Sequence, residues 1–173
     1  MSLLGAVWLV TSGSYYSCTA GNSDNPRSMN AGNGSSYTTV LILRDSNGAE
    51  KSSFMFGEPI RFELSITNNT DHSATLQFTD GHTNDYLVVD NTTHHLRWLW
   101  SQGMAFTQAL TSITIDANAT RTYTITWNGI LADGTQIMPG TYQARGALVF
   151  DAFANDPLAT SELGSPLKTF TVN

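Results

Sequence analysis

From Tyr37 onward, apolar residues recur at every second position in short runs, and turn residues interrupt them. That period is the signature of half-buried strands rather than helices. Ile60 to Thr67 alternates cleanly, with Phe62, Leu64 and Ile66 on one face and Arg61, Glu63 and Ser65 on the other. Val40–Arg44 precedes it, closed by Asp45-Ser46-Asn47-Gly48, where Asn-Gly offers the positive φ of a tight hairpin. Asn68-Asn69-Thr70-Asp71 reads as the next turn, followed by an inward face of Ala74, Leu76 and Phe78. Tyr86–Val89 and Leu96–Trp100 flank Asp90-Asn91-Thr92; Ile113 and Ile115, then Tyr123, Ile125 and Trp127, then Tyr142, Ala144, Gly146 and Leu148 continue the pattern, and Phe170 and Val172 end it.

About eight or nine strands at roughly 8–12-residue spacing, with no long helical period, predict an all-β fold. The natural architecture is an antiparallel, immunoglobulin-like β-sandwich. Successive strands through the middle of the chain are expected to lie side by side as an up-and-down meander. Trp98, Trp127 and the aliphatic faces must join the sheets, because the chain has one cysteine and no internal disulfide.

Composition supports this picture. The 173 residues suit one domain with a real core. Only 13% are charged, whereas Ser and Thr number 40, so hydroxyls and amides solubilise the surface. Net charge is −6, with two lysines and six arginines, which argues against a nucleic-acid partner. No apolar run reaches the roughly 18–20 residues of a membrane-spanning helix.

The chain divides at about residue 36. Leu3–Val10 is apolar, and small and polar residues follow to Ser17-Cys18. This segment reads as the tail of a secretory signal, with Cys18 as a lipid-attachment residue. On that reading the protein is exported to the periplasm or cell envelope and meets a membrane only through a lipid anchor. If the run is not a signal, it is an ordinary first strand with an incidental thiol, and the protein is cytoplasmic. Gly21–Ser36 holds almost nothing that packs and reads as a tether. Residues 1–36 are thus signal remnant and tether, and residues 37–173 one β-sandwich domain. Asp151–Pro166 lacks alternation and is long for a connector, either a functional loop or a surface loop packing Phe153 and Leu158 on a sheet edge.

Catalytic and metal chemistry find little footing. His72, His82, His94 and His95 lie among Asp71, Asp80, Asp85 and Asp90, raw material for zinc or copper. In a meander, however, His72 and the His94-His95 pair share one end and His82 the other. They are therefore expected as loop histidines in water, with no metal and no cofactor. No Gly-x-Ser-x-Gly elbow or phosphate-cradling Gly loop occurs, and no catalytic residue is assigned. Asn33, Asn68, Asn91 and Asn118 stand in Asn-x-Ser/Thr triplets, which matter only if the source glycosylates.

The most unusual stretch is His95–Phe106. Leu96, Trp98 and Trp100 are expected on one strand face, Ser101-Gln102-Gly103 breaks the strand, and Phe106 can fold back on the core. Further on, Met138-Pro139-Gly140-Thr141-Tyr142 suits a type II turn, with the Tyr142 hydroxyl placed to bond backbone. Taken in order, Phe62 to Asn69, Phe78, Asp85-Tyr86, Trp98-x-Trp100-Ser101 with Gly103 and Phe106, Trp127, and Pro139-Gly140-x-Tyr142 resemble the BsuPI family of bacterial proteins, named for an intracellular proteinase inhibitor. The resemblance spans roughly Pro59 to Leu148. It implies an immunoglobulin-like sandwich and inhibition of a serine protease.

The expected function is therefore that of a non-enzymatic protein-binding domain, an inhibitor of BsuPI type. Its candidate contact residues are Ser101, Gln102, Gly103, Met104 and Ala105, with Met104 suited to an apolar specificity pocket unless it packs internally. The alternative is a tethered cell-envelope structural or adhesion module with no protease target. A carbohydrate binder would need an exposed aromatic platform, for which Trp100 is the candidate.

Overall fold

The computed structural model describes residues 35–149 and 161–173. Cys18, most of the tether, and Phe153 and Leu158 lie outside these residues. Ten strands are described: β1 (Tyr37–Arg44), β2 (Ser53–Phe54), β3 (Ile60–Asn68), β4 (Ala74–Phe78), β5 (Asn84–Asp90), β6 (Leu96–Leu99), β7 (Thr111–Ile115), β8 (Thr120–Trp127), β9 (Gly140–Leu148) and β10 (Lys168–Val172). One sheet has the order β1-β3-β8, the other β2-β10-β9-β5-β6, and β4 and β7 form a two-stranded ribbon. All pairings are antiparallel except that of β2 with β10, which is parallel. The two-residue β2 is too short to carry a periodic signal, which is why the sequence pattern misses it.

The two sheets face each other across one core. Leu41, Leu43, Phe62, Leu64 and Ile66 come from the first sheet, and Tyr86, Val88, Tyr142, Ala144, Leu148 and Phe170 from the second. With no disulfide between the sheets, aromatic rings span the gap. Trp98 stacks on Trp127 with centroids 4.8 Å apart, and Phe62 contacts Tyr86, Trp98 and Trp127 at 5.7–6.2 Å. Strand β5 lies between β9 and β6 and is buried on both faces, so Tyr86–Val89 is a continuous apolar run.

The strand order is not a meander. β3 lies between β1 and β8, while β4 pairs only with β7. The β4–β7 ribbon extends the β3–β8 ladder beyond a kink, with Leu76, Phe78, Ile113 and Ile115 still facing the core. Asn68 fills the break. It is fully buried, and its side-chain amide donates to the carbonyls of His72, Ile115 and Asp116 at 2.9–3.2 Å. Its Oδ1 accepts from the Thr70 backbone and hydroxyl. Asn68 is therefore a strand-end residue and not an exposed turn position, and burial removes it as a glycan acceptor.

Two further expectations change. A bulge between Val88 and Val89 sets Leu96 opposite Val89 while Trp98 faces Val88. Leu96 is consequently about half exposed and does not share the face of Trp98. Gly140 lacks the positive φ that a type II turn would give it. It begins β9 and leaves room for Tyr142, whose hydroxyl oxygen would lie 3.2 Å from an added Cβ. That hydroxyl donates to the Met138 carbonyl at 2.8 Å, the backbone bond expected of it. In Asp45–Gly48 the positive φ falls on Gly48 alone, and Asp45 Oδ1 accepts from the amides of Asn47 and Ala49.

Asn68→Ala should lower the unfolding free energy by about 2–3 kcal/mol, because buried carbonyls lose their donors; urea denaturation measures it. Acid should also weaken the fold. Glu63 is held below the usual carboxylate range chiefly by hydrogen bonds from Arg44, and Glu58 likewise by Lys51. Asp90 is held down by the amides of Thr93 and Thr92, and Asp133 by Thr135. A carboxyl lowered in the folded state stabilises it above its unfolded pKa, and that contribution disappears as pH falls through the folded value. The melting temperature should thus hold down to about pH 5 and fall below about pH 4. Glu63→Gln should flatten part of that fall.

Candidate functional site

The connection from β6 to β7 leaves the sandwich at Trp100 and exposes Gln102, Gly103, Met104 and Ala105. Its shape follows from local chemistry. The Gln102 amide donates to the Leu99 carbonyl at 3.2 Å and the Met104 amide to the Ser101 carbonyl at 2.9 Å. Gly103 takes φ +80° at the turn, a conformation that other residues adopt only at a cost. Met104 is 48% exposed, so it presents its thioether side chain to solvent instead of packing internally.

Both ends of this loop are tied to one short segment, Gly81–Tyr86. At the first end, the Trp100 amide donates to the Tyr86 carbonyl at 2.9 Å. The Ser101 amide donates to Asp85 Oδ1 at 3.2 Å, and the Ser101 hydroxyl donates to Asp85 Oδ2 in a short hydrogen bond. At the second end, Phe106 stacks on the His82 imidazole with centroids 4.3 Å apart and planes 14° from parallel. The Gly81 amide donates to the Thr107 carbonyl at 2.9 Å, and a Cβ on Gly81 would run into the Thr107 side chain.

Asp85 joins the two ends. Its residue is 1% exposed, and His82 Nε2 lies 3.0 Å from Oδ2. His82 is accordingly a half-buried positioning group and not a loop histidine in water, as the sequence pattern suggests. The other three behave as expected: His72 is exposed against Asp71, and His94 and His95 are exposed at the far end of β5. Behind the clamp, Trp100 meets Tyr86 edge-on at 6.2 Å and Phe106 at 6.0 Å. Burial pushes the Tyr86 phenol up, which keeps that ring neutral inside the core.

Ser101, Asp85 and His82 are in contact, but the order is wrong for nucleophilic catalysis. A reactive serine needs the imidazole on its hydroxyl and the carboxylate behind the imidazole. Here both the hydroxyl and the imidazole end on the carboxylate, which makes a clamp. Trp100 packs on the core and offers no exposed platform for sugars. Among the described residues, no group of three His, Cys, Asp or Glu side chains is arranged to hold a metal ion.

Sequence reasoning found the loop and the return of Phe106, and missed Asp85 and His82 as its supports. The only signals were Asp85-Tyr86 in the family pattern and the nearness of His82. Of the Asp151–Pro166 segment, residues 161–166 are described. There Leu163 packs on the core, and Ser165 exchanges backbone and hydroxyl bonds with Gly146 along β9.

The fold and this loop define an antiparallel immunoglobulin-like β-sandwich that carries one exposed connection clamped at both ends. The chain belongs to the BsuPI family, described as intracellular proteinase inhibitor, whose family model matches residues 48–152, more than half of the chain. No curated protein matches the sequence. Similar solved structures include the Pseudomonas fluorescens alkylpurine DNA glycosylase AlkC bound to DNA containing an abasic site analog, with 11% identity and a TM-score of 0.47 over 81% of this chain and 31% of that one. The C-terminal domain of wzt has 10% identity and a TM-score of 0.47 over 80% and 74% of the two chains. A CARDB domain from Pyrococcus furiosus, in complex with di-metal ions, has 12% identity and a TM-score of 0.40 over 79% and 87%. The chain spans about a third of the glycosylase and 16% of a Listeria innocua β-glucosidase that also matches.

Proposed function

We propose that this protein is a non-enzymatic inhibitor of a serine protease and that it binds through Ser101–Ala105. The observation that carries the reading is the loop itself, an exposed tip whose two ends are fixed to the same short segment, Gly81–Tyr86. An inhibitor must occupy a substrate cleft without losing the binding energy to loop ordering. Fixing a flexible residue costs about 1–2 kcal/mol, so a loop of this length that is already ordered saves several kcal/mol on association. The family description supports the reading from an independent direction.

The side chains narrow the protease class. Met104 is long, unbranched and apolar, and the residues beside it, Gly103 and Ala105, are small enough to let it enter a pocket. Proteases with an apolar specificity pocket, of subtilisin or chymotrypsin type, suit it; a trypsin-type pocket with a buried carboxylate does not.

Residual activity of subtilisin-, chymotrypsin- and trypsin-type proteases, titrated with the full chain, tests this. Stoichiometric loss of an apolar-specific activity is expected, with trypsin-type activity spared. Met104→Asp should weaken inhibition at least a hundredfold and leave the melting temperature unchanged, since Met104 is a surface residue. No inhibition of any protease at micromolar excess would contradict the reading and leave a tethered envelope module as the alternative.

A further inference from the structure

A loop that enters a protease cleft as a substrate does is exposed to cleavage, and something must prevent its loss. Many small inhibitors rely on disulfides for this, but the one cysteine here, Cys18, cannot bridge within the chain. The clamp around Asp85 supplies a different restraint. Residues on the amino side of Met104 are held through Ser101 on Asp85 and Trp100 on Tyr86. Those on the carboxyl side are held through Phe106 on His82 and Thr107 on Gly81. Every one of these anchors sits on residues 81–86, and His82 is itself tied to Asp85 and, through its amide, to Asp80 Oδ1 at 2.8 Å.

We propose that Asp85 is a positioning residue that keeps the two sides of the Met104–Ala105 bond together, so that the protease cuts this bond reversibly and the protein remains an inhibitor. The inference rests on the inhibitor reading above and specifies how the same loop survives. The protease serine oxygen attacks the Met104 carbonyl carbon. The C–O bond of an acyl-enzyme forms, the C–N bond to Ala105 breaks, and the serine proton passes through the protease histidine to the departing Ala105 amine. In an ordinary substrate that amine diffuses away and water takes its place. Here Phe106 and Thr107 hold Ala105 beside the ester, so the amine attacks again, restores the peptide bond and returns the proton to the serine. No reagent beyond the protease is consumed. The gain is one of effective concentration, which for well-placed groups exceeds that of any free amine in solution.

Asp85 matters more than the other anchors because it reaches both ends at once. It accepts the Ser101 amide and hydroxyl directly and fixes the imidazole on which Phe106 lies. Without its carboxylate, the part-buried Ser101 hydroxyl and His82 imidazole lose a shared partner, and the loop ends are free to separate after cleavage.

The test follows the full chain in stoichiometric excess over a subtilisin-type protease for several hours. Mass spectrometry reads scission at Met104–Ala105, and a chromogenic substrate reads residual activity. Wild-type protein should hold the protease inhibited throughout, either intact or as a stable mixture of intact and nicked chains. Asp85→Ala should be cut at that bond at least tenfold faster, and protease activity should return as it is consumed. Ser101→Ala, which removes one of the same contacts from the partly exposed side, should shift the time course in the same direction and decides the matter if Asp85→Ala does not fold. Conversion from inhibitor to substrate in Ser101→Ala with the melting temperature held, or in Asp85→Ala assayed well below its lowered melting temperature, is a result that a purely structural role would not produce. Equal persistence of inhibition in both variants and wild type overturns the role of Asp85 while leaving the inhibitor reading intact. Absence of inhibition by the wild-type protein overturns both.

Discussion

Aromatic rings in edge and stacking contact run from the middle of the sandwich to the surface. Trp127 stacks on Trp98, both touch Phe62, and Phe62 meets Tyr86, then Trp100, Phe106 and finally His82. The first part of this chain of rings does what a disulfide does in other sandwiches, since Phe62 and Trp127 belong to one sheet and Tyr86 and Trp98 to the other. Each such pair adds about 0.5–1.5 kcal/mol beyond the area it buries. The second part carries the rigidity of the core outward to the β6–β7 connection. Removing a ring from the middle would therefore loosen both the sheet packing and the loop.

The loop needs a polar restraint as well, because rings position it without fixing its direction. A carboxylate as deeply buried as that of Asp85 is costly unless its oxygens are satisfied. Here its partners are the amide and hydroxyl of Ser101 at one end of the loop, the adjacent Tyr86 amide, and the His82 imidazole on which Phe106, at the other end, is stacked. Burial of Asp85 and order in the loop are thus linked: if the loop opens, a buried carboxyl group is left with fewer partners. That coupling restrains a small exposed tip from both sides.

Much of this fold is legible from periodicity. The alternation of Phe62, Leu64 and Ile66 marks β3 and its inward face, and Tyr86–Val89 marks β5, whose burial on both sides shows only once β9 and β6 are seen to flank it. Strand order is not legible, because pairing depends on contacts between residues far apart in sequence. β4 reads as the neighbour of β3, and instead β4 and β7 prolong the ladder past Asn68. Asn68 itself has the composition of a turn residue, and only its three carbonyl partners reveal it as an interior bridge. At the candidate site, the break at Ser101–Gly103 and the return of Phe106 follow from local residue types. The clamp does not, since Asp85 and Ser101 are 16 positions apart and an Asp, a His and a Ser in loose proximity are common in any chain.

The central claim is that the Ser101–Ala105 tip is the contact surface, and amide hydrogen exchange of the full chain with and without an inactivated subtilisin-type protease tests it directly. On this account, binding slows exchange at Gln102, Gly103, Met104 and Ala105, with a weaker effect on the adjoining Gly81–Tyr86 segment. Protection confined to the opposite end of the sandwich, around Met55, Phe56 and Met138, would contradict it.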